Sequence, residues 1–155
     1  MNITEKAHEY CKEEYKAHVI YSSIARNPFV PAKIRSIFEQ ASMDEYEHYR
    51  FWSKLSGECV TGFLKFKTWI YIVALWLFGV TVTLKLMEAS ENKAQLDYRE
   101  MENLGLHAKD IEKIISDEEE HEKMFIENIN EERIKYLSSV ALGITDALVE
   151  LTGIY

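Results

Sequence analysis

Proline and glycine are scarce in this chain, with two and six respectively among 155 residues. Turn-rich β architecture draws on both, so the composition points away from it. Cysteine is nearly absent. Cys11 and Cys59 are the only two, and neither belongs to a C-x-x-C pair. That excludes a zinc ribbon or a rubredoxin-like iron site within the chain. Two cysteines so far apart do not make a disulfide scaffold, and a reducing, cytoplasmic setting is the expectation. Positive charge is also short: 18 Lys and Arg stand against 26 Asp and Glu, for a net charge of -8. No basic stripe is available to release counterions from a phosphate backbone, so no nucleic-acid partner is expected. The N-terminus, Met-Asn-Ile-Thr-Glu-Lys, is polar and lacks the apolar core of a signal peptide.

Apolar residues are plentiful. A hydrophobic content of 47% suffices for a core, and the length fits one domain with an appendage. The apolar residues recur at helical spacing. The spacing predicts a first helix from about Thr4 to Arg26, stopped by Asn27-Pro28, with Pro31 suited to the first turn of the next. A second helix from about Pro31 to Leu55 carries Ile34, Ile37, Phe38, Ala41, Glu45, His48 and Trp52 along one side and ends at Ser56-Gly57. A third begins near Lys67 and runs to about Asn103. Its front half, Thr68 to Leu84, is uncharged and mostly apolar, and it touches the lower length limit of a membrane span. We read it as a buried helix, with a dimer partner or a membrane surface taking the apolar area left over. A fourth helix starts near Lys109 after Gly105. The tail from Tyr136 to Tyr155 turns apolar, with Asp146 and Glu150 embedded one turn apart, as at the start of a transmembrane helix.

Two near-copies of one pattern carry the chemistry. Asp44-Glu45-Tyr46-Glu47-His48 and Asp117-Glu118-Glu119-Glu120-His121 both read D-E-x-E-H. Upstream of each lies E-x-x-A-x-x-x-Y, formed by Glu14, Ala17 and Tyr21 and again by Glu91, Ala94 and Tyr98. The chain therefore reads as a duplicated two-helix unit. Each half offers a lone Glu and a Glu-x-x-His pair, whose two side chains share one helix face. Four carboxylates and two imidazoles from four helices are the set that holds two metal ions inside a bundle. Such ligands suit Fe(II), Mn(II) or Zn(II) over softer ions.

The candidate metal ligands, and through the metal the candidate catalytic residues, are Glu14, Glu45, His48, Glu91, Glu118 and His121. Glu88 is either an extra ligand or the bridging one. It lies one turn before Glu91, and Cys11 occupies the matching place in the first helix, an asymmetry that would make the two metal positions inequivalent. A lone Glu-x-x-His on a charged helix is usually a solvated face; its recurrence with matched flanks argues for metal. Glu47, Glu119 and Glu120 read as surface charges. Tyr21 and Tyr98 read either as core residues or as hydrogen-bond donors to the opposite carboxylates. His8, His18 and His107 have no matched partners.

With these motifs, the chain resembles the rubrerythrin branch of the ferritin-like superfamily over about residues 5 to 130. The resemblance implies an all-α fold, a ferritin-like four-helix bundle with a long crossover between helices 2 and 3 and a C-terminal helical tail. It implies a two-iron centre on the residues above, with Mn or Zn as other occupants, acting on H₂O₂ or O₂ or oxidising Fe(II). Rubrerythrins proper also carry a rubredoxin-like domain, which is missing here, so an external reductant or Fe(II) itself must serve. The segment Phe78 to Glu88 and the tail Ala141 to Glu150 are similar to a narrower group, in which such a domain precedes a vacuolar-iron-transporter-like membrane domain. On that resemblance residues 1–135 form the diiron domain, and 136–155 an apolar tail that opens a membrane domain. The expectation is a homodimer in the cytoplasm or on the cytosolic face of a membrane, reached through the tail. Non-catalytic Fe(II) or Mn(II) capture and gating for a membrane transporter is the alternative role.

Overall fold

A computed structural model describes residues 3–91 and 109–129, with side chains over 3–87 and 109–129. Every regular element among them is α-helix: α1 (Ile3–Arg26), α2 (Ala32–Ser56), α3 (Gly62–Glu91) and α4 (residues 109–129). The chain divides into two compact units, Met1–Glu120 and His121–Tyr155. The architecture is an all-α four-helix bundle. The tail expected from Tyr136 and the far end of the third helix lie outside the described residues.

The α1–α2 pair positions the site. Both helices bury one stripe at helical spacing. On α1 this is Ala7, Tyr10, Cys11, Glu14, Ala17, Ile20 and Ile24, and on α2 it is Ile34, Phe38, Ala41, Glu45, His48 and Trp52. Their contacts run in opposite order. Tyr10 meets Trp52, Glu14 meets His48, His18 meets Ser42, and Tyr21 meets Phe38. The helices are therefore antiparallel, joined by the tight Asn27–Pro31 turn, in which the Asn27 side chain accepts from the Phe29 N–H at 2.9 Å. Full burial of each large apolar side chain contributes roughly 1.5–3 kcal/mol, so side chains such as Phe38, Ile20 and Trp52 fix the register of the pair. Gly57 ends α2. Its φ of 80° is in the left-handed region, and its N–H reaches the Ser53 carbonyl at 2.9 Å, a capping geometry that favours glycine.

The third helix begins earlier than its apolar pattern predicts. Thr61 caps it, its Oγ1 accepting from the Leu64 N–H at 3.2 Å, a signal the apolar run conceals. The helix is interrupted at Gly79, where φ is 81°. The part before the kink is about 25 Å long at the helical rise. The close packing of α1 on α2 and the slighter packing of α1 on α3 are consistent with the expected long crossover. Lys16, buried on α1 and ion-paired with Glu13, sets its ammonium 5.8 Å from the Tyr71 ring centre.

From Gly62 to Met87 this helix is long and apolar enough to cross a membrane, and only 28% of its 18-residue apolar window is buried. Phe63, Phe66, Trp69, Ile70, Trp76 and Leu77 are all more than half exposed. Its burial is partial: Leu64, Tyr71, Ala74 and Leu75 are buried, and the apolar area left over is the part expected from the sequence to meet a dimer partner or a membrane surface. An apolar face of this kind is consistent with membrane proximity.

The two cysteines depart from expectation. Cys11 on α1 and Cys59 in the α2–α3 connection form a disulfide that closes a separation of 48 residues. Disulfides are rare in a reducing cytosol, so the bond weighs against the expected setting. Closing a loop of this size restricts the unfolded chain by roughly 3–4 kcal/mol. Reducing the bond in metal-free protein is therefore expected to lower the denaturant midpoint by that equivalent. An unchanged midpoint would show that packing alone holds these segments together.

Candidate metal centre

Three helices bring four ligating side chains to one place. Glu14 comes from α1, Glu45 and His48 from α2, and Glu118 from α4. Each offers one ligand atom, and these atoms all lie within 4.8 Å of one another. Glu14, Glu45 and His48 are buried, and Glu118 is half-buried. Around His48 Nδ1 stand Glu118 Oε1 at 3.6 Å, Glu45 Oε2 at 3.7 Å and Glu14 Oε2 at 3.9 Å. These separations are too long for hydrogen bonds. They fit a shared ion: ligand atoms about 2.0–2.2 Å from a metal stand roughly 3 to 4.2 Å apart.

His48 is oriented for that task. Its Nε2 bonds Asp117 Oδ2 at 3.0 Å, while its Nδ1 is buried and makes no hydrogen bond among the described residues. One ring nitrogen held by a carboxylate and the other aimed at a cluster of oxygens is the arrangement of a ligating histidine. Asp117 is held in turn by Lys113 Nζ at 3.0 Å, which also reaches Glu47 Oε2 at 3.4 Å. Glu47, expected to be a solvated charge, is exposed and joins this chain of contacts.

The electrostatics of the cluster favour positive charge. Burial alone pulls the His48 imidazolium down. The Glu118 and Glu45 carboxylates and the bond to Asp117 outweigh it, and the pKa rises from 6.5 to about 10. Partial burial pushes the Asp117 carboxyl up, but the bonds from His48 and Lys113 draw it below the ordinary range. Lys113 is raised by its bond to Asp117, against a smaller loss to burial. In the metal-free protein a proton on His48 therefore partly balances the surrounding carboxylates. A bound cation would take over that role.

The remaining predicted residues stand as follows. Glu88 and Glu91 lie in α3, with side chains outside the described set. His121 opens the second unit, buried, with its ring 6.1 Å from that of Phe125 and nearly parallel to it. His18 is not in the cluster; its Nδ1 lies 2.7 Å from the Ser42 carbonyl oxygen and 3.1 Å from Ser42 Oγ. Tyr21 packs edge-on against Phe38. Tyr98 and His107 lie outside the described residues. Sequence reasoning misses Asp117 and Lys113 as partners of the site. The signal for Asp117 is its place at the head of the repeated D-E-x-E-H, where it reads only as a flank.

Asp117→Asn is expected to lower metal affinity about 10–100-fold by loosening the imidazole. Titration with a coloured chelator as competitor reads this directly. Unchanged affinity would show that Asp117 does not orient His48.

No family model, no curated protein and no solved structure matches the chain. The bundle and its buried carboxylate–histidine cluster, able to chelate a metal ion, are consistent with the broader ferritin-like fold.

Proposed function

We propose that the chain is a dinuclear iron-binding domain of ferritin-like type that oxidises Fe(II) or reduces peroxide. The observation that carries this is His48, with Nε2 fixed by Asp117 and Nδ1 buried amid three carboxylate oxygens. Glu14, Glu45, His48 and Glu118 would hold one ion. The sequence repeat supplies the other set, Glu91 and His121, with Glu88 as an extra or bridging carboxylate. Iron held by such ligands supplies one-electron exchange with O₂ or H₂O₂ and a Lewis-acidic seat for the oxidant.

The chain's own residues do the rest. Three carboxylates offset the charge that a ferric state would add. Asp117 keeps the imidazole oriented while its Nδ1 proton leaves. Burial of Glu14, Glu45 and His48 limits water around the site and strengthens each of these interactions. Mn and Zn fit the same donor set, and Mn could sustain redox chemistry where Zn could not.

The test is stopped-flow oxidation of Fe(II) by H₂O₂ in wild type and Glu118→Ala. The wild type should oxidise iron faster than buffer over repeated additions, and the variant should not. Iron bound tightly but oxidised no faster than in buffer would leave metal capture as the role.

That second reading has its own observation. The exposed apolar face of α3 suits a domain held at a membrane, capturing Fe(II) or Mn(II) for an attached transporter of the vacuolar-iron-transporter type. A homodimer would cover part of the same face. On either reading the domain belongs to iron or manganese homeostasis.

A further inference from the structure

Reduction of a peroxide consumes two electrons, and the chain carries one sulfur pair able to give two. Cys11 and Cys59 are its only cysteines, and they are joined. Their position relative to the cluster is specific. Cys11 lies one turn before Glu14 on α1. Trp52 lies one turn after His48 on α2, and Ile114 one turn before Glu118 on α4. Cys11, Cys59, Trp52, Ile114 and Tyr10 form a single buried cluster. The disulfide therefore occupies the layer of the bundle next to the carboxylate–histidine layer, on all three helices that build it. Tyr10 and Trp52, 4.6 Å apart between ring centres, are oxidisable aromatic rings within that same layer.

We propose that Cys11 and Cys59 are a two-electron redox couple working with the metal centre, a role that rests on the metal-binding reading above. The reduced dithiol loses its two S–H protons and two electrons as the Sγ–Sγ bond forms. A peroxide takes both protons and both electrons as its O–O bond breaks, leaving two waters. An external dithiol restores the pair: its thiolate attacks one sulfur to give a mixed disulfide, and its second thiol resolves that bond. Both cysteines are fully buried, so that attack requires a local opening. Cys59 is the sulfur such an opening would free, because it sits in the non-helical 57–61 connection, whereas Cys11 is held within α1.

The test counts thiols rather than turnover. Full-length protein is reduced, freed of reductant without oxygen, and checked for retained helicity by circular dichroism. It is then divided into Fe(II)-loaded and metal-free portions, with Glu45→Ala alongside. Hydrogen peroxide is added and free thiols are counted over time by alkylation and mass spectrometry. The expected result is loss of both thiols in the iron-loaded protein, recovery of the Cys11–Cys59 linked peptide, and far slower loss in the metal-free protein and in Glu45→Ala. Equal loss with and without iron would overturn the coupling. Thiols that survive while iron is oxidised would overturn it and leave the metal reading standing. Failure of the protein to bind iron at all would remove the metal reading and this one together. A reduced protein without helical signal would show the bond to be a structural staple only.

Discussion

Glu45→Gln is expected to abolish tight metal binding while leaving the metal-free protein close to the wild type in stability, because the lost attraction to the His48 proton is offset by relief of the repulsion among the carboxylates. Glu45 is buried with Glu14 beside it and Glu118 at the cluster's edge, so three carboxylates face one imidazole. In the metal-free state this is an excess of like charge in a poorly solvated place, a cost retained for the sake of a bound cation. The amide keeps the volume, removes one charge and offers a much poorer ligand. A residue serving only the fold would behave in the opposite way, since loss of a buried hydrogen-bonding carboxylate ordinarily destabilises by a few kcal/mol. Calorimetry of metal-free wild type and variant, with metal content measured on the same samples, separates these outcomes. A marked fall in melting temperature with metal content retained would contradict the account.

The second large effect is on pH. The folded, metal-free protein holds His48 at a pKa of about 10, above the ordinary 6.5. A raised folded pKa means that the folded state binds the proton more tightly than the unfolded chain does. The stability it contributes is complete below pH 6.5 and is lost as pH rises towards 10. Each tenfold gain in proton affinity corresponds to about 1.4 kcal/mol, so for this buried ring the contribution is on the order of a few kcal/mol. Metal reverses the trend. A cation on Nδ1 displaces the proton, so between 6.5 and 10 metal affinity is expected to rise by about tenfold per pH unit from this group alone. Denaturant titrations across that range should show the metal-free protein weakening and the metal-loaded protein gaining relative stability. A metal affinity independent of pH would mean that His48 does not exchange its proton for a metal.

Much of this was legible in the sequence because it is local. The stripes on α1 and α2 follow from apolar spacing. The Asn27-Pro28 stop and the Gly57 cap follow from backbone chemistry. The gathering of Glu14, Glu45, His48 and Glu118 was anticipated by a duplicated pattern, although its use as a metal ligand set remains the subject of the experiments above. What was not legible depends on distant parts of the chain. The Cys11–Cys59 bond spans 48 residues, and nothing near either cysteine announces the other. The His48–Asp117 bond joins residues 69 apart. Periodicity places a residue on a face but does not say which atom of an imidazole meets which carboxylate. The third helix was legible in part. A run apolar on every side calls for cover, but periodicity does not say which residues, such as Leu75, meet the core and which, such as Trp69, stay exposed.

The most direct test of the central claim is metal content after anaerobic Fe(II) loading and removal of free iron, with Glu45→Gln as the control. The account predicts tightly bound iron in the wild type, near two ions per chain for a dinuclear centre of the kind in ferritin-like bundles, and its loss in the variant. Wild-type protein that emerges correctly folded and free of metal would contradict it.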